Sequence, residues 1–188
     1  MKITNAIKTT RLLALLFISV LTFTACSDDD DDHGYDSEEE LITTVRYTLT
    51  NGNNIVTLTF SDPDGEGGND GTYTVSGNLT TNLTYTGVIE LLNETESPAE
   101  DITEEVKAEA DEHEFFYNSN VSGLAITKTD TDGNGNPLGI ETSLTTGSAG
   151  SGTLTVILKH EPKKPNNDTS ADAGGSTDVE VVFNITVQ

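Results

Sequence analysis

The feature that most constrains this chain is the period-two alternation that ends it. Val179, Val181, Phe183, Ile185 and Val187 are all apolar, and Glu180, Asn184 and Thr186 stand between them. In a strand, successive side chains point to opposite faces, so this pattern describes one buried and one wet face. That is the mark of antiparallel sheets; strands of a doubly wound parallel sheet are buried on both sides and read as continuous apolar runs. The same alternation recurs upstream. Leu41, Thr43, Val45, Tyr47 and Leu49 share a face of a first strand, and Val56, Leu58 and Phe60 a face of a second. Tyr73 and Val75 mark a third, and Tyr85, Gly87, Ile89 and Leu91 a fourth. Leu124 to Lys128, then Leu138, Ile140 and Leu144, then Leu154, Val156 and Leu158 follow. Asn51-Gly52, Asp64-Gly65 and Asp132-Gly133 supply turn chemistry between the runs. Short strands at this spacing predict an all-β fold, an antiparallel β-sandwich of Ig-like type. One segment departs from it. Asp101-Ile102-Thr103-Glu104 has the form of a capping box, and Ile102, Val106 and Ala110 fall on one helical stripe. The expectation is a single helix over 102–112, a short aromatic strand from Phe115 to Tyr117, and a long unstructured loop over 161–177.

Ahead of the strands lies an address. Lys2, Lys8 and Arg11 form a basic n-region, and Leu12 to Leu21 form an apolar stretch too short to span a bilayer. Leu21-Thr22-Phe23-Thr24-Ala25-Cys26 then resembles a bacterial lipobox, in which the Cys receives a diacylglyceryl group and the chain is cut before it. Cys26 is the only Cys in the chain, so no internal disulfide can form. Each buried acyl methylene is worth about 0.8 kcal/mol, and stable anchoring needs more than one chain. Directly behind it stand Ser27, Asp28, Asp29, Asp30, Asp31 and Asp32, which resemble the surface-export signal of Bacteroidota lipoproteins. Five adjacent carboxylates also repel one another into an extended linker. The expected organisation is a signal peptide over 1–25, an acidic tether over 26–40 and a β-sandwich domain over 41–188. Localisation is then the outer membrane, lipid-anchored and exposed at the cell surface.

Charge excludes some partners. The chain carries 9 Lys and Arg against 32 Asp and Glu, a formal net charge of −23, and three of those cations lie in the signal segment. Such a chain is repelled by phosphate backbones, so nucleic acid is not a partner. Catalysis has little support: there is no His-Glu-x-x-His, no Gly-x-Ser-x-Gly and no phosphate loop, and the one thiol is expected to be lipidated. The chain is read as a non-enzyme.

Two constellations can hold a metal. The first is Asp111-Glu112-His113-Glu114 with His160-Glu161. Both histidines end apolar stripes, and imidazole is the commonest transition-metal ligand. If the stripes pack in one core, His113 and His160 meet at its rim. Glu112, Glu114 and Glu161, with Asp111, then complete or orient a site for a Zn2+-class ion. The alternative is two satisfied histidines at element ends, one of them helped by a helix C-terminus. The second constellation runs from Asp130 through Asp132, Asn134 and Asn136 to Glu141, with the spacing of an EF-hand Ca2+ loop. Its flanks read as strands rather than helices, and Pro137 falls inside it; a plain Gly-rich hairpin turn is the competing reading. Asp62-Pro63-Asp64-Gly65-Glu66-Gly67 repeats half the pattern without the closing Glu.

The string Asn93-Glu94-Thr95-Glu96-Ser97-Pro98-Ala99-Glu100-Asp101-Ile102-Thr103-Glu104-Glu105-Val106, with Asp111 to Tyr117, Thr146 to Val156 and Lys159-His160-Glu161-Pro162, resembles short Bacteroidota lipoproteins. These carry the label "type 1 periplasmic binding fold superfamily protein" and look like companions of TonB-dependent outer-membrane receptors. The likeness covers most of 41–188. A type 1 binding fold needs two α/β lobes with several helices each, which the alternation here contradicts. What the resemblance implies is a ligand-binding accessory to such a receptor; the two histidine–carboxylate pairs make a metal ion or metal complex the candidate ligand. The alternative is a structural or adhesive surface module stiffened by calcium. A glycan-binding module is disfavoured by the absence of Trp and by only 6% aromatic residues.

Overall fold

The computed structural model describes residues 40–65 and 68–188; the lipobox Cys26, the run Ser27 to Asp32 and the whole signal segment lie outside the described residues, as do Glu66 and Gly67. Ten strands and two short helices follow in chain order: β1 (Thr44–Asn51), β2 (Asn54–Ser61), β3 (Thr72–Val75), β4 (Thr84–Asn93), β5 (Glu100–Asp101), α1 (Ile102–Ala108), β6 (His113–Ser119), β7 (Ala125–Lys128), β8 (Glu141–Thr145), β9 (Gly150–His160), α2 (Ser170–Ala173) and β10 (Ser176–Val187). They form two antiparallel sheets, one ordered β3-β2-β1-β4-β8-β7 with β5 attached to β4, the other β10-β9-β6. The all-β sandwich expected from the alternation is the architecture found.

The core lies between the sheets. Val45, Tyr47 and Leu49 of β1, Leu58 of β2 and Tyr85, Ile89 and Leu91 of β4 meet Phe115, Leu154, Val156, Leu158, Val181, Phe183 and Val187 from the other sheet. Every one of these sits on the predicted inward phase. Gly87 interrupts the inward row of β4, and the Tyr47 ring occupies the space its missing side chain leaves. Tyr47 and Thr142 share a buried hydroxyl–hydroxyl hydrogen bond of 2.6 Å there.

The helix expected over 102–112 is shorter. Asp101 is its N-cap, its Oδ1 accepting from Thr103 N–H at 3.1 Å, and it ends at Ala108. Glu109, Asp111 and Glu112 would place three acids at the negative end of the macrodipole, which disfavours a further turn. The chain instead turns over, with Glu112 N–H on Glu109 O at 2.8 Å, and enters β6 at His113. The expected loop over 161–177 is also corrected: it contains α2 and is fastened along its length. Lys163 N–H donates to Ala173 O at 2.7 Å, and Lys164 Nζ to Ala110 O at 2.6 Å. Among the described residues no helix is long and apolar enough to cross a membrane.

Candidate metal centre

β6 and β9 pair so that His113 stands directly opposite His160. Partners in an antiparallel pair point to the same face, and here that face is the interior: the next inward pairs are Phe115 with Leu158 and Tyr117 with Val156. The two rings therefore cap the apolar column at the end of the sandwich. Their centroids are 4.7 Å apart, inclined at 31°, and both residues are buried. Convergence of the two histidines, the expectation drawn from the two apolar stripes, is what the register produces.

Two carboxylates complete the group. Asp178 comes from the start of β10, where Ser176 pairs with His160 and Thr177 with Lys159, but Val179 with Leu158. Asp178 is thus the extra residue of a β-bulge. Strict alternation would turn it outward with Glu180; the bulge re-aims it inward, and its side chain is fully buried. Glu40 reaches in from the segment leading to β1, its side chain only 7% exposed. Glu40, His113, His160 and Asp178 each bring one ligand atom into a cluster in which all four lie within 4.8 Å of one another.

The hydrogen bonds fix how His113 is oriented. Its Nδ1 lies 3.2 Å from Glu109 O, and a carbonyl can only accept, so Nδ1 carries the proton. Nε2 is left to face Glu40 Oε1 at 3.0 Å and Asp178 Oδ2 at 3.9 Å. Backbone support of one nitrogen leaving the other as donor is the usual second shell of a metal-binding imidazole. Burial opposes a charge on His113, but Glu40, Glu109 O and Asp178 outweigh it and raise its pKa above the ordinary 6.5. Burial likewise pushes the Glu40 carboxyl up, and the His113 imidazole facing it holds the net value below the ordinary 4.5. His160 Nε2 lies 3.7 Å from Glu112 Oε2, and its buried Nδ1 has no hydrogen-bond partner among the described residues.

Two imidazole nitrogens and two carboxylate oxygens form the mixed donor set that a borderline ion such as Zn2+ takes. A tetrahedral ion with bonds of about 2.0–2.2 Å sets its donors roughly 3.4 Å apart, between the 3.0 Å and 3.9 Å that separate His113 Nε2 from Glu40 Oε1 and Asp178 Oδ2. A cavity of about 390 Å3 lies against the group, with Glu40 and Asp178 in its wall beside Leu41, Ile42, Phe60 and Asp62.

The other candidate residues are distributed differently. Glu112 and Glu161 form a second, outer group with His160. Asp111 enters neither group. Glu114, counted with the metal ligands from its place beside His113, lies on the opposite face of β6. There its Oε1 takes Lys128 Nζ at 2.6 Å and its Oε2 takes Asn166 Nδ2 at 2.7 Å, and Lys128 also pairs with Asp168 at 2.7 Å. It fastens the 161–175 segment rather than joining the centre. In the Asp130–Glu141 loop the two Asp carboxylates expected for Ca2+ are already engaged. Asp132 Oδ1 accepts from Asn134 N–H and Asn136 N–H at 2.9 and 2.8 Å, and its Oδ2 from Asn136 Nδ2 at 3.0 Å, with Lys164 Nζ at 3.5 Å. Asp130 Oδ1 accepts from Gly139 N–H at 2.7 Å, and Glu141 is exposed on β8. This is a self-satisfied turn, bridged at Thr131 and Pro137.

Sequence reasoning missed Glu40 and Asp178. The first lies at the end of the acidic run that composition marks as a tether, and the second in a strand whose alternation places it outside. No family model, curated protein or solved structure matches the chain.

Proposed function

We propose that this protein is a lipid-anchored surface module that binds a divalent transition-metal ion of the Zn2+ class, as a ligand-binding accessory to an outer-membrane receptor. The observation that carries the metal reading is the convergence of His113, His160, Glu40 and Asp178 in one buried group. Four titratable side chains share a site at the end of a hydrophobic core, where unpaired polar groups are costly. A cation held by both imidazoles and both carboxylates would offset the cost of burying so many titratable groups together. The lipobox ending at Cys26 and the acidic run behind it support the anchor and the surface placement, and the resemblance to receptor-associated lipoproteins supports the partner.

Calorimetry with zinc on the full chain in detergent tests the reading. One equivalent is expected, lost in the His113→Ala/His160→Ala double variant. Absence of saturable binding by the wild type rejects it. Cys26→Ser is expected to abolish fatty-acid labelling and release the chain from the membrane fraction; labelling at the wild-type level rejects the anchor.

A further inference from the structure

His160 belongs to two groups at once. Inward it joins Glu40, His113 and Asp178; outward it joins Glu112 and Glu161, whose ligand atoms lie within the same 4.8 Å limit. The inner group is buried, whereas Glu112 and Glu161 are exposed. One imidazole is thus shared between a buried site and an exposed one.

The outer pair is built by the backbone. Glu161 N–H donates to Glu112 O at 2.6 Å, one step beyond the His113–His160 pair, and this brings the two acids together at the end of the sheet. Glu161 has φ +50, uncommon for a residue other than Gly, Asn or Asp. Gly175 packs against it so closely that a Cβ there would lie 2.2 Å from His160 O. The strand end is therefore held in a single turned conformation. His160 Nε2 faces Glu112 at 3.7 Å, while its Nδ1 is enclosed and without a hydrogen-bond partner among the described residues.

We propose that Glu112 and Glu161 form, with His160, an outer station through which a divalent cation loads into and leaves the buried centre; this rests on the metal reading above. Exposed carboxylates attract a cation from solution more readily than buried ligands do. A neutral imidazole has one lone pair and one N–H. Having one lone pair to offer, His160 binds an ion in one group at a time, so the ion must be handed across. A station on the path lowers the same barrier in both directions. It speeds loading and release alike and leaves the equilibrium affinity of the inner site nearly unmoved.

The test is stopped-flow zinc exchange on the full chain, with a chromophoric chelator reporting association and dissociation. In Glu112→Gln/Glu161→Gln both rate constants are expected to fall at least fivefold together, with the affinity changed less than the rates. Two comparisons separate this from other causes. Glu96→Gln/Glu180→Gln removes the same charge from exposed positions elsewhere, and an equal fall there would mean general attraction and overturn the station. Asp62→Asn probes the cavity on the other flank, and a slowing confined to that variant would place the path through the cavity and overturn it as well. Dissociation that quickens in the Glu112/Glu161 variant while association holds would make the pair ordinary ligands, again overturning the proposal. Zinc binding by the wild type is measured in the same experiment, so failure of the centre itself is distinguished from failure of its loading path.

Discussion

His113 and His160 face one another across the β6–β9 ladder, and the 4.7 Å between their rings is set by strand register rather than by any local motif. Forty-seven positions of sequence separate them, and a one-residue slip would send one ring to the solvent face.

Removal of either ring should therefore weaken zinc binding by at least the 10- to 100-fold that loss of an outer-shell partner costs. The affinity should also fall with pH, because metal competes with the proton that His113 holds more tightly than a free imidazole does. Without metal the sign of the stability effect is opposite. The raised His113 value stabilises the fold below an unfolded value of about 6.5, and that contribution is lost as pH rises through the folded value. Thermal unfolding of wild type and His113→Ala, with and without zinc from about pH 5 to 8.5, checks both. Zinc-induced stabilisation that is flat with pH contradicts the assignment.

Glu114 supplies the contrast. It adjoins His113 in sequence but serves the opposite face, where it neutralises Lys128 beneath the 161–175 segment and beside the Phe116 ring, 4.3 Å from Nζ. Glu114→Ala should cost about 1.5–3 kcal/mol, the range for a hydrogen bond to a charged group. Zinc affinity should stay within about threefold, since the two groups share no partner. Denaturant unfolding and calorimetry on the same variant separate the effects. A large loss of zinc affinity at unchanged stability would return Glu114 to the metal centre.

The difference between Glu114 and His113 also marks how far the sequence could be read. Alternation identified the sheets, the inward rows and both histidines at the ends of apolar stripes, because a half-buried strand states its own periodicity. It could not place Asp178, since the bulge between Thr177 and Val179 changes phase without any sequence sign that outweighs the regular Val179–Val187 pattern. Glu40 was obscured differently. It closes a run of acids, and composition there spoke for a solvated linker while a tertiary contact decided the outcome. The helix end at Ala108 rather than 112 was set by the acids Glu109, Asp111 and Glu112 together with the pairing of His113 in β6.

Gly87 is expected to be irreplaceable for a packing reason. A Cβ there would lie 2.4 Å from Thr142 Oγ1 and 2.6 Å from both Cε2 and the hydroxyl of Tyr47. Those atoms belong to a buried pair at the centre of the larger sheet, with no room to retreat. Gly87→Ala should destabilise by about 1–3 kcal/mol, the usual cost of overpacking. The same change in a Tyr47→Phe background should cost less, because one of the clashing atoms is gone. Chemical denaturation of the two single variants and the double gives the cycle; strict additivity would show that the ring is not what the new methyl meets.

Asp132 decides between a calcium loop and a turn that satisfies itself. Burial pushes its carboxyl up, but the Asn136 side chain, the N–H groups of Asn136 and Asn134 and the Lys164 ammonium together hold it below the ordinary 3.8. A carboxyl depressed in the folded state contributes stability above its unfolded value, and that contribution is lost as pH falls through the folded one. The difference in melting temperature between wild type and Asp132→Asn should accordingly be full above about pH 4 and shrink below it. Calcium should add nothing. Asp132 already accepts from Asn134 and Asn136, Asp130 accepts from Gly139, and the Lys164 ammonium stands 3.5 Å from Asp132 Oδ2, where a cation would be repelled. Melting curves at about 1 mM calcium, the level at which extracellular modules bind it, should superpose on those in chelator. A clear rise in melting temperature that Asp132→Asn abolishes would restore the loop as a calcium site, and with it the reading of this protein as a calcium-stiffened surface module.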